Sequence, residues 1–195
     1  MWMLVLGLIL FLGVHSVRIF ADGWRTRSLA RLGEKAWKGI YTVLSLVGFA
    51  LILWGYARAR QQPVLLWSPP AALKHLNSLF TLLAFWLLAA AYVPRNQIKA
   101  RLHHPMVLGV LLWAFGHLLA TAKLADLVLF GAFLLWAVLD HGAARRRDRA
   151  LGTVYPPGTL GPTLLVLIVG AAAWAAFALW IHAAWIGVAP FARAA

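Results

Sequence analysis

The sequence predicts an all-α protein, a polytopic bundle of six transmembrane helices, and three observations predict it. Of its 195 residues 63% are hydrophobic and only 12% are charged, with a mean hydropathy of +0.81. A soluble domain carries about 25% charged residues. The apolar residues gather in six runs, and a helix that crosses a bilayer needs about 20 residues. Apart from Arg18 at the end of the first run, the cations stand outside these runs. Lipid satisfies no backbone polar group, so such runs must bond internally as helices.

The runs cover residues 1–20, 39–57, 76–93, 105–120, 124–139 and 162–188. The first has no basic residue before Arg18 and no small-residue cleavage site after it, so it is expected to remain as a membrane helix rather than leave as a signal peptide. The second carries Tyr41, Ser45, Gly48, Ile52 and Gly55 at spacings of four, three, four and three. A small-residue stripe of this kind marks close helix packing in a membrane. Between the second and third runs, residues 62–70 read as an extended aromatic segment lying along the outer interface. The fourth and fifth runs are the shortest. The brief turn Thr121-Ala-Lys-Leu124 makes them an antiparallel hairpin. Residues 145–157 are basic, then rich in Pro and Gly, and read as a cytoplasmic loop. The sixth run holds a second packing patch, Gly170-Ala-Ala-Ala173 before Trp174. No repeat or soluble domain interrupts the chain, which reads as a single transmembrane domain over 1–195.

Eighteen Lys and Arg against five Asp and Glu give a formal charge of +13. In a soluble protein this would suggest nucleic acid. Here the positives flank apolar runs, so they orient helices in the lipid bilayer and no nucleic-acid role is expected. The loops after the first, third and fifth helices hold thirteen of them, and the opposite side, with Arg193 near the C-terminus, holds five. That bias places both termini outside and the three basic loops in the cytoplasm. Cysteine is absent, which excludes disulfides, thiolate nucleophiles, zinc–thiolate sites and iron–sulfur clusters.

An ionisable side chain within a spanning helix is a functional candidate by default. His15 lies in the first helix, just before Ser16. His117 lies well inside the fourth, with Trp113 one turn before it and Gly116 beside it, where a large planar ligand could approach. An interhelical hydrogen bond is the structural alternative for both. His104 precedes Pro105 and suits a helix cap, and His182 stands near the end of the sixth helix. His75, His103 and His141 adjoin loops and are expected to be solvated. Asp126 and Asp140, fourteen residues apart on one helical face, are expected to pair with Lys123 or the basic loop. Several histidines in a bundle without cysteine match the needs of bis-histidine b-type haem, whose macrocycle apolar and aromatic walls would bury. The carboxylates are too few and too peripheral for a di-iron site.

The runs HPMVLGVLLWAFGHLLA and LADLVLFGAFLLWAVLD, with GVHSVRIF, WRTRSLARLGEKAWKGIYTVLS and HAAWIGVAPF, resemble the NnrU family over nearly the whole chain. The resemblance implies a multi-pass protein of the bacterial inner membrane, linked to denitrification and nitric oxide metabolism. The family's plant relative, ζ-carotene isomerase, is an integral membrane haem b enzyme that isomerises a cis double bond of its carotenoid when the iron is reduced. By resemblance its axial histidines correspond to His15 and His117, the two metal-ligand candidates. His104, His182 and Trp113 complete the cofactor-binding candidates. Some plant members carry a cysteine one turn before the second histidine, and Ala114 stands there, so no redox ligand switch is implied. Depth offers a second pairing. His117 is about 18 Å along its helix from Pro105, nearer the outside than His15, so His15 could pair with His104 and His117 with His182. As an enzyme the protein would lower the rotation barrier of a hydrophobic polyene entering from the lipid. The competing expectation is a non-enzymatic accessory or assembly factor, with structural histidines and partners meeting its basic loops.

Overall fold

The computed structural model describes residues 1–191, the side chain of Ala71 apart; Arg193, counted above among the cations, lies outside the described residues. The elements are α1 (Trp2–Phe20), α2 (Asp22–Leu32), α3 (Glu34–Ala59), α4 (Ala71–Tyr92), α5 (Gln97–Leu102), α6 (Pro105–Ala120), α7 (Leu124–Leu151) and α8 (Leu160–Ala176). A π-helical turn, Phe177–Ile181, then leads without a break into α9 (His182–Ile186). Among the described residues five stretches are long and apolar enough to cross a membrane: α1, α3, Ala72–Tyr92 of α4, α7, and Leu160–Ile186. The remaining expected span, the fourth run, is α6, which is apolar but only 16 residues long.

The apolar windows of the five spans are only 11% to 28% buried. Ile9, Leu46, Ile168 and Trp180 are each at least 63% exposed. So much bare hydrocarbon on every long helix suits lipid and not water. The protein is a polytopic membrane protein.

Several helices outrun their apolar runs. α3 begins at Glu34, five residues before the predicted run, because Gly33 takes φ +80 and Glu34 then sits in the first turn, where the helix dipole favours an anion. α7 continues through the basic segment expected to be loop. Ala and Arg are good helix formers, and the helix stops only at Gly152, whose φ of +60 ends the turn before Pro156 and Pro157. α2 and α5 lie in segments read as loops.

The chain divides into two compact units, one of Met1–Ser68 with Thr121–Ala144, the other from Pro69–Ala120 with Arg145 onward. The two helices of the expected hairpin therefore fall in different units.

In the first unit α1 and α3 meet along the predicted stripe. Gly48, Ile52 and Gly55 are the buried residues of α3, facing Leu4, Gly7 and Leu8 of α1. A methyl group at Gly7 would lie 2.6 Å from the backbone nitrogen of Ile52, and one at Gly48 would lie 2.8 Å from that of Phe11. Only hydrogen fits at either place. Phe133 of α7 meets Phe11 at a ring separation of 6.0 Å. The 62–70 segment is extended, as expected, and forms a short antiparallel bridge, with Leu66 N donating to Ala122 O and Leu124 N to Val64 O.

In the second unit α4 is central and packs on α6 and on α8. Gly109 and Gly116 of α6 face Ala84 and Phe80 of α4, and Gly170 of α8 admits Trp86. Trp86 Nε1 donates to Leu167 O at 3.0 Å, and Trp174 Nε1 to Thr81 Oγ1 at 3.1 Å. The predicted patch around Gly170 is thus a packing contact. Asn96, 1% exposed, ties the connection between α4 and α5: its Nδ2 donates to Ala90 O and Val93 O, and its Oδ1 caps α5 by accepting from Lys99 N.

Candidate functional site: the membrane histidines

His15 stands on α1 four residues after Phe11, and its Nδ1 lies 2.7 Å from the Phe11 carbonyl. A carbonyl can only accept, so the proton of the neutral ring is on Nδ1 and the lone pair on Nε2. The Phe11 ring stacks on the imidazole at 4.2 Å. Tyr41 of α3 approaches at 5.2 Å and Trp136 of α7 presents an edge-on ring at 6.2 Å. The Trp136 Nε1 donor is buried with no acceptor among the described residues. Trp136 also lines an open apolar groove of about 610 Å³ with Leu8, Leu12, Ser16 and Phe20 of α1 and Leu135 of α7.

His117 repeats this local arrangement in the second unit. Its Nδ1 lies 2.8 Å from the Trp113 carbonyl, again four residues earlier, and the Trp113 ring is 5.4 Å away. Ala114 and Gly116, three residues and one residue before it, are buried. An Nδ1–H held by a backbone carbonyl is the support that orients a metal-ligating imidazole.

His104 belongs to a different kind of cluster. Its Nε2 is 2.7 Å from Asp148 Oδ2, which also accepts from the Tyr155 hydroxyl at 3.0 Å. His103 lies flat on the Tyr155 ring, centroids 4.0 Å apart, and its Nδ1 accepts from Arg145 at 3.2 Å. Burial and the adjoining Asp148 carboxylate raise the Tyr155 phenol above the ordinary tyrosine value, so it remains a donor at neutral pH. His104 also fills the expected place before Pro105, its carbonyl accepting from Leu108 N. His182 follows the π-turn, donates from Nδ1 to Val188 O at 2.6 Å, and meets the edge of Phe177.

Of the ligand candidates, His15 lies in the first unit, while His104, His117, His182 and Trp113 lie in the second. His75 is exposed as expected, whereas His103 and His141 are half-buried instead of solvated. Asp126 takes its partners from hydroxyls rather than from Lys123: Tyr56 donates to Oδ1 at 2.6 Å and Thr121 to Oδ2. Among the described residues no group of three or more His, Asp or Glu side chains is placed to hold a bare metal ion.

Sequence reasoning missed the Asp148 and Tyr155 partners of His104 and the aromatic enclosure of His15. One signal was available for the first. Asp148 is the sole acid in the run Arg145–Arg149, and an isolated carboxylate among cations near a histidine-bearing segment invites pairing.

Neither a curated protein nor a solved structure matches the chain. The family model described as NnrU protein matches residues 3–190. That match spans almost every described residue, the helices of His15 and His117 included, and the chain therefore belongs to the NnrU family.

Proposed function

We propose that this membrane protein binds haem b through helix histidines, with His15 and His117 as the axial-ligand candidates, and serves nitric oxide-related metabolism or the isomerisation of a hydrophobic polyene. The observation that carries the reading is the arrangement the two residues share. Each holds Nδ1 on the carbonyl four residues earlier and has an aromatic residue at that same position, an orientation that would present Nε2 to a metal. Each imidazole by itself suits an axial ligand: its ring orientation is fixed beforehand, and the hydrogen bond raises the basicity of Nε2. Phe11, Tyr41 and Trp136 place aromatic rings around His15, and the unpaired Trp136 donor leaves a place for an acceptor atom beside it.

Haem bound here would supply a reducible iron and an apolar macrocycle. The protein's own part is to present the imidazole, exclude water, and admit nonpolar molecules from the lipid along the α1–α7 groove. The thirteen-to-five charge bias supports termini outside and a place in the bacterial cytoplasmic membrane.

The test is a reduced-minus-oxidised absorption spectrum of the protein purified in mild detergent, with a haem assay. A stoichiometric b-type spectrum is expected, lost or shifted in His15→Ala and in His117→Ala. A protein that stays colourless after haem is supplied would refute the proposal and favour an accessory factor with structural histidines.

A further inference from the structure

The connection between the first two spanning helices is itself a helix, α2, with no buried residue. Its outward face is not random. Trp24, Arg27 and Arg31 are spaced three and four apart, so they share one stripe, and all three are exposed. Arg25, Ser28 and Leu29 are only half-exposed. Trp24 also meets Trp37 of α3 edge-on at 5.7 Å, which couples α2 to the foot of the next helix. Lys35 and Lys38 follow within two turns of α3, and Lys38 is engaged by Glu34. Asp22 reaches Arg18 and Arg25 only at 4.0 and 3.9 Å and leaves Arg27 and Arg31 unneutralised.

We infer that α2 lies on the membrane surface and binds anionic lipid headgroups through the Trp24–Arg27–Arg31 stripe. The occupant follows from tethering and charge. α1 ends at Phe20 and α3 begins at Glu34, both helices are long and apolar enough to cross the bilayer, and the thirteen intervening residues hold α2 at the interface. Planar guanidiniums bind phosphate by paired hydrogen bonds, and tryptophan sits at headgroup depth with its ring in the acyl boundary. The aromatic residue and the two cations on one face match a phosphate layer above a hydrocarbon layer. A soluble polyanion would supply the phosphate but gives Trp24 no apolar layer to enter.

The chain has no cysteine, so a single probe can be placed cleanly. The full-length Ala30→Cys protein, spin-labelled, is reconstituted in nanodiscs of phosphatidylcholine alone or of phosphatidylcholine with phosphatidylglycerol. Access of a water-soluble relaxation agent to the label is then compared. The label is expected to be shielded in the anionic discs. Shielding should disappear at 1 M salt, and Arg27→Gln/Arg31→Gln should lower the docked-to-free ratio roughly 30-fold, about fivefold for each guanidinium. Both arginines are exposed, and elution of the double variant as the parent verifies its fold. Equal access in the two lipids, or shielding that survives the double substitution, overturns the inference. So does shielding by added RNA or acidic peptide where anionic lipid gives none. None of these outcomes depends on haem.

Discussion

Replacing Gly48 with alanine tests the α1–α3 seam directly. The new methyl would lie 2.8 Å from Phe11 N and 3.0 Å from Phe11 Cα. An ordinary contact is about 3.5–4.0 Å, so the two helices must part by roughly 0.7 Å along that line. The obstructing atoms are backbone and cannot rotate aside. Overpacking of this kind costs about 1–3 kcal/mol, while exchanging Gly for Ala in a helix returns up to about 1 kcal/mol. The net expectation, with the full helix gain counted, is a loss of up to about 2 kcal/mol. Gly13, on α1, has nothing within 4 Å of the same methyl. Gly13→Ala should therefore be neutral or stabilising by up to about 1 kcal/mol. Unfolding in mixed micelles of rising SDS content, followed by the fluorescence of the eleven tryptophans, gives the comparison. If Gly48→Ala unfolds no earlier than Gly13→Ala, the seam is not a close backbone contact and the reasoning fails.

Three further outcomes are expected. Asn96→Ala removes three hydrogen bonds from a buried site and should cost about 2–4 kcal/mol in the same unfolding assay. Tyr56→Phe deprives the buried Asp126 carboxylate of one donor and should cost about 1–3 kcal/mol, whereas Tyr92→Phe, at a residue 76% exposed, should cost nothing measurable. His104→Ala releases the clasp that Asp148 and Tyr155 complete, so trypsin should cut the Arg145–Arg149 run severalfold faster; an unchanged rate would mean that α7 holds this segment without the clasp.

Features that depend on local spacing were legible in the sequence. Gly48, Ile52 and Gly55 announce a shared helical face whatever they pack against, and the partner helix then only has to be thin. The patch at Gly170 was legible for the same reason. Features that depend on distant partners were not. Asp148 lies 44 residues from His104 and Asp126 lies 70 from Tyr56, and no local pattern links such pairs. α2 was hidden because only three of its eleven residues, Trp24, Leu29 and Leu32, are large and apolar, too few to read as the apolar stripe by which a soluble helix is recognised. The far end of α7 was hidden because charge ended the hydrophobic run while helix propensity did not. His15 and His117 were legible as candidates, but their common carbonyl anchor appears only with the backbone in place.

The first unit is discontinuous in the chain, and that imposes an order in time. A ribosome adding about 5–20 residues per second needs roughly 4–14 seconds to make the 70 residues between Tyr56 and Asp126. α1 and α3 can meet along their glycines as soon as both are inserted, since that seam uses nothing from α7. Until α7 emerges, the Tyr56 hydroxyl has no carboxylate to bond and His15 lacks its Trp136 neighbour. The nascent protein therefore passes through a two-helix stage whose polar edge is open, and whatever chaperones its insertion meets that edge first.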